Sequence, residues 1–149
     1  ACIDLFQTEV YSWQTYDAKK ANQLFWKLLS EYESESGVDL HDLERYLASS
    51  WQKKLHLFLH PFYYVEYAIA QVGALQLFVK MNSNFDASFK DFQEGLKLGM
   101  SLDLKKLYEI CGVEFSLEEG VVKTLSLKLE GIIHALEEDL GVEESMVQA

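Results

Sequence analysis

The chain predicts an all-α fold, on three observations. Apolar residues recur every three or four positions along nearly its whole length. A single proline and eight glycines leave little punctuation. The period-two alternation of half-buried strands is missing. At 149 residues with 49% hydrophobic side chains, the length suits one unit and the composition suits a packed core, leaving disorder only for the ends.

The elements follow in order. Ile3, Phe6, Val10 and Trp13 give a first helix over about residues 1–15. Asp17 is a suitable N-cap for a second, whose inner face would be Ala21, Leu24, Phe25, Leu28, Leu29 and Tyr32, and which ends in the turn at Gly37. A third opens near Asp39 and carries Leu43, Tyr46, Leu47 and Trp51. Pro61 suits the first position of a fourth helix, where its missing N–H costs nothing, which makes His60 the N-cap. That helix, over about residues 61–81, is apolar nearly all round and is expected to be central and buried. Asn82 to Asp86 form the next turn with Asp86 as cap, and a fifth helix over 87–98 stops at Gly99. A short helix closed by Gly112 and a long amphipathic one over about 117–140 complete the set. The final "GVEESMVQA" is expected to be a frayed tail.

Charge and cysteine usage exclude several functions. A net charge of -11 with no basic stripe argues against nucleic acid and anionic membrane as partners. The densest acidic run, Glu31, Glu33 and Glu35, suits a solvated helix end. Cys2 and Cys111 form no CxxC pair, and two buried thiols in a reduced intracellular compartment are expected. No signal peptide is visible. The most apolar stretch, 61–81, contains Glu66, Gln71 and Gln76, which suits a buried helix of a water-soluble protein better than a membrane span. The chain opens already in helical period, with no initiator Met and no N-cap, as expected of a piece cut from something longer.

The chemistry-bearing residues gather in "HLFLHPFYYVEYAIAQ", residues 56–71. His56 and His60 have the i, i+4 spacing of a two-histidine metal site. Leu57, however, stands where a zinc-peptidase HExxH has its glutamate, and a helix opening at Pro61 would leave both histidines ahead of it. A polar loop at the mouth of a pocket is the competing role. Tyr63, Tyr64 and Tyr67 fall in the first turns of the apolar helix, with Tyr63 and Tyr67 on one face. A phenol donates a hydrogen bond while uncharged at neutral pH, which suits an oxyanion that exists only in a transition state. Tyrosines at helix starts also commonly pack their rings and tie their hydroxyls to backbone, and Glu66 could be a paired core carboxylate.

The wording of the segment then becomes informative. "HLFLHPFYYVEYAIAQVGALQLF" resembles the C-terminal signature of the M3 family of zinc metallopeptidases, in particular the oligoendopeptidase F branch. "IDLFQTEVYS" is similar to that family's D-x-F-Q-x-x-x-Y helix, and "LKLGMSLDLKKLYEICGVEFS" to its closing segment. The three blocks occur in the family's order and span nearly the whole chain.

The resemblance implies a zincin-type oligopeptidase: mainly helical, with a deep channel, cleaving short peptides in the cytoplasm. Zinc in the intact enzyme would be held by an HExxH helix and a later glutamate. No HExxH occurs here; "HDLER" at 41 and "HALEE" at 134 both fail at the second and fifth positions. The metal ligands and general base would therefore lie in the remainder of the peptidase chain, and this chain alone would be inert. The resemblance places Tyr67 as oxyanion stabiliser with Tyr63 or Tyr64 as its partner, His56 on the substrate carbonyl or the oxyanion, and His60 with Tyr64 as substrate-binding residues. Two other roles stay open: a helical interaction module that kept such a fold without its chemistry, and a small helical protein with its own metal at His56 and His60. The helix over 61–81 has too many apolar sides for its neighbours to cover, so an exposed apolar patch is expected where the remainder docks or where copies self-associate.

Overall fold

The structure is a computed structural model that describes residues 1–34 and 36–141. Among these residues all regular structure is helical, as the apolar spacing predicts. Glu35 of the acidic run and the tail at 142–149 lie outside the described residues. The chain divides into two compact units, Ala1–Ala68 and Ile69–Ala149, where the sequence suggests one. The apolar residues do not gather into one core: the buried cluster of Phe6, Ala21, Phe25, Trp51 and Leu57 belongs wholly to the first unit.

The first unit begins with α1, Cys2–Tyr11. It is shorter than its apolar period suggests because Ser12 turns back on it: the Ser12 hydroxyl donates to the Glu9 carbonyl at 2.7 Å, competing with the helix ladder. Asp17 caps α2, Ala18–Ser34, as expected, accepting from the Lys19 and Lys20 N–H groups at 2.8 and 3.0 Å. Phe6 meets Phe25 edge-on at 5.2 Å between ring centroids and lies at the same distance from Trp51. The Trp51 indole donates to Asn22 Oδ1 at 2.9 Å, satisfying its buried N–H. Tyr32, assigned to the inner face of α2, is exposed.

The expected third helix is broken into pieces. A 3₁₀ turn at His41–Leu43, the single helical turn α3 at Glu44–Leu47, and a second 3₁₀ turn at Ser50–Lys53 replace it. Only Trp51 of its supposed inner face is buried; Tyr46 is exposed and Leu43 half-exposed, so no continuous apolar stripe holds the segment in one helix.

A larger departure lies around the proline. His56–Leu59 form a short helix α4, and His60 is its C-cap, with φ -138° and ψ 75°. Pro61 keeps His60 out of helical geometry, as expected, but belongs to a turn. The next helix, α5, opens only at Tyr64 and runs to Ser83. Between them Phe62 adopts φ +61°, the left-handed region that non-glycine residues seldom occupy.

The division between units falls inside α5. The expectation of a central buried helix is not met: Gly73 is the one buried residue of α5, while Tyr67 and Phe78 are about half exposed, at 51% and 49%. An all-round apolar helix needs cover on every side, and the elements within each unit supply it only in part.

In the second unit Asn84, not Asp86, caps α6, Phe85–Leu98, its Oδ1 accepting from the Ala87 N–H at 3.2 Å. Gly99 at φ +54° ends α6 as expected. Asp103 caps α7, Leu104–Ile110, and Gly112 follows it at φ +70°. Lys80 of α5 pairs with Asp91 and donates to the Cys111 carbonyl, each at 3.3 Å. Gln76 exchanges two hydrogen bonds with the Glu114 backbone at 2.9 Å each. The long amphipathic helix is α8, Glu119–Leu140, with Leu125 buried. Cys2 and Cys111 are unpaired and partly rather than fully buried. Among the described residues no helix is long and apolar enough to cross a membrane.

Candidate functional site

All five sequence-predicted site residues come together in the first unit. His56 heads α4, His60 ends it, Tyr63 lies in the following turn, and Tyr64 and Tyr67 occupy the first turns of α5. Both histidines lie ahead of the apolar helix, as expected, but the chain makes one helical turn of its own, α4, before Pro61. That turn brings the two imidazoles to 6.0 Å between centroids.

His56 is the hub. Tyr63 stacks on it, with centroids 5.1 Å apart and planes within 10° of parallel. Tyr64 and Tyr67 meet the same imidazole edge-on at 5.6 and 5.8 Å. Tyr67 Oη lies 3.5 Å from His56 Nε2, at the outer limit of a hydrogen bond. Tyr63 and Tyr67 also touch, at 5.4 Å between centroids and an 81° angle. His60 is peripheral, exposed and in ring contact with Tyr63 at 6.2 Å.

Burial grades the cluster. Tyr63 and Tyr67 are exposed at 43% and 51%, so their rings do not serve as core filler. Tyr64 lies deeper; partial burial, with the neighbouring Tyr67 second, pushes its phenol pKa above the ordinary value and keeps it a neutral donor. Glu66 is exposed and is not a paired core carboxylate. The surface thus presents two solvent-facing phenols around a half-buried imidazole, a set able to hydrogen-bond a carbonyl oxygen or an oxyanion.

Two residues to which the sequence assigns no site role, the Gln and Tyr of the D-x-F-Q-x-x-x-Y pattern, hold this arrangement in place. Gln7 and Tyr11 stand one turn apart on α1. Gln7 Oε1 accepts from the Phe62 N–H at 3.0 Å, and Tyr11 Oη donates to the Leu57 carbonyl at 2.9 Å. The Tyr11 ring meets the Phe62 ring edge-on at 5.3 Å. Besides that pattern, Gln7 carries a physical signal: it shares the inner face with Ile3 and Val10, where a polar residue must have a partner.

Among the described residues no three His, Cys, Asp or Glu side chains gather as metal ligands. The ring neighbours of the two histidines are each other and tyrosines, so these residues do not fit a zinc site by themselves. Compared with protein-family models, curated proteins and solved structures, the chain matches none.

Proposed function

We propose that this chain is the C-terminal part of a cytoplasmic zinc oligoendopeptidase of the M3 type, and that its His/Tyr cluster binds the backbone of short peptides and stabilises the oxyanion formed on cleavage. One observation carries the proposal beyond the sequence resemblance: Tyr67 Oη and the stacked Tyr63 converge on His56 on an exposed surface. Zinc, held by the remainder of the peptidase chain, would supply carbonyl polarisation and an activated water. The residues here do the rest. Tyr67 donates to the developing oxyanion, Tyr63 and His56 fix the direction of that donor, and Tyr64 and His60 hold the flanking peptide. Water competes for such donors until a facing wall covers them.

The half-exposed α5 offers a surface for that remainder to pack on. Ala70, Gly73, Leu77, Phe78, Phe92 and Tyr108 are among the residues lining an apolar groove of about 420 Å³ in the second unit. The same exposure supports a second role, a non-catalytic helical interaction module.

Tyr67→Phe in the full-length peptidase separates the two. Loss of a transition-state donor should lower kcat by about two to three orders of magnitude with little change in KM. An unchanged kcat would return Tyr67 to ring packing and favour the interaction module.

A further inference from the structure

We infer that Gln7 and Tyr11 are positioning residues for the His56–Tyr67 cluster, a clamp on α1 that holds both sides of the proline turn. The inference rests on the proposed role of the cluster only for its catalytic consequence; the clamp itself is a geometric matter.

The turn needs holding. His60 is outside the helical region, Pro61 has no N–H to offer, and Phe62 is in the left-handed region, so the segment has little regular structure of its own. Its two ends are tied to one helix. Tyr11 bonds the Leu57 carbonyl on the near side, and Gln7 bonds the Phe62 N–H on the far side. Between these ties lies His60, whose ring meets His56 and Tyr63. The Phe62 conformation decides where the chain re-enters a helix, and so where Tyr63 falls against His56.

Gln7 is kept at a cost. Only 1% of it is exposed, and its Nε2 has no hydrogen-bond partner among the described residues. A buried amide with an unmade N–H bond is unfavourable, and an apolar residue of that size would suit the neighbouring Phe6 and Leu57 better. The Phe62 N–H also fixes how the amide lies, since only its oxygen can accept. The bond from the Phe62 N–H, the one its side chain makes among the described residues, is therefore the reason for a polar residue at this position.

The test uses NMR of the 149-residue chain. Stacking on Tyr63 gives the His56 Cε1 proton a ring-current shift. Gln7→Met keeps the side-chain length and removes the acceptor; it should lose most of that shift, whereas Gln7→Glu, which retains an acceptor oxygen, should keep it. Tyr11→Phe deletes only the bond to Leu57 on a half-exposed ring, and should displace the signal in the same direction. It decides the matter if Gln7→Met does not fold. An unchanged His56 signal in the folded variants overturns the clamp, whatever the cluster does. In the full-length peptidase Gln7→Met should lower kcat about a hundredfold, the scale of a small misplacement of catalytic groups, with KM nearly unchanged. Loss of the His56 shift with no loss of kcat would leave the clamp standing and overturn the peptidase role of the cluster.

Discussion

The ring of Tyr108 lies against the bare Cα of Gly73: a Cβ added there would come to 2.5 Å from the ring carbon Cε1. The ring cannot retreat freely, because its hydroxyl donates to the Ile69 carbonyl at 3.4 Å and it meets the Phe115 ring in a T-shaped contact at 5.1 Å between centroids. Overfilling a packed site costs about 1–3 kcal/mol, while alanine gains about 1 kcal/mol of helix propensity over glycine. Gly73→Ala should therefore lower stability, by up to about 2 kcal/mol, in chemical denaturation. Gly131→Ala on α8 meets nothing within 4 Å and should raise stability by up to about 1 kcal/mol.

The cap of α6 can be assigned by substitution. Asn84→Ala removes the acceptor for the Ala87 N–H and should cost about 1 kcal/mol. Asp86→Ala, which leaves that bond intact, should cost less. Equal losses would mean that Asp86 shares the capping role first expected of it.

Asp17 should shape the acid limb of stability. The Lys20 and Lys19 N–H groups hold its carboxyl pKa below the ordinary 3.8. A carboxyl whose pKa is lower folded than unfolded binds fewer protons when folded, so its contribution is fully present above the unfolded pKa and is lost as pH falls through the folded one. The stability advantage over Asp17→Asn should hold at neutral pH and shrink on acidification below about 4.

Burial pushes the Cys2 and Cys111 thiols above their ordinary pKa. Fewer thiolates are then present at neutral pH, and the thiolate is the reacting species. Alkylation by iodoacetamide should be slow in the folded chain, rise as pH is raised, and quicken in urea. Fast reaction at neutral pH would show that the folded chain exposes one of them.

The parts of the fold legible in the sequence rest on local chemistry. Asp17 at an N-cap and glycines at 37, 99 and 112 act within a few residues of themselves, and each appears where its residue type demands. Pro61 is different, since it fits the first turn of a helix and a tight turn equally well. The choice is made by Gln7, 55 residues earlier, through the Phe62 N–H. The gathering of His56, Tyr63, Tyr64 and Tyr67 could be anticipated from their spacing, but the stacking of Tyr63 on His56 depends on that distant bond. The burial of α5 was likewise not legible: its pattern says that it wants cover, and not which residues provide it.

The Gln7–Phe62 bond also has a consequence in time. The Phe62 amide is not part of any helix ladder; its proton is held by a side chain of α1 alone. Hydrogen exchange at that one site should therefore report each parting of the turn from α1, without contributions from helix fraying. The preceding proline contributes no exchanging amide, and the Tyr63 amide, bonded to the His60 carbonyl at 3.2 Å, follows the turn itself. Two neighbouring amides thus keep separate clocks, one for undocking and one for unwinding. Their ratio would tell whether the aromatic surface loosens by lifting away whole or by losing its shape in place.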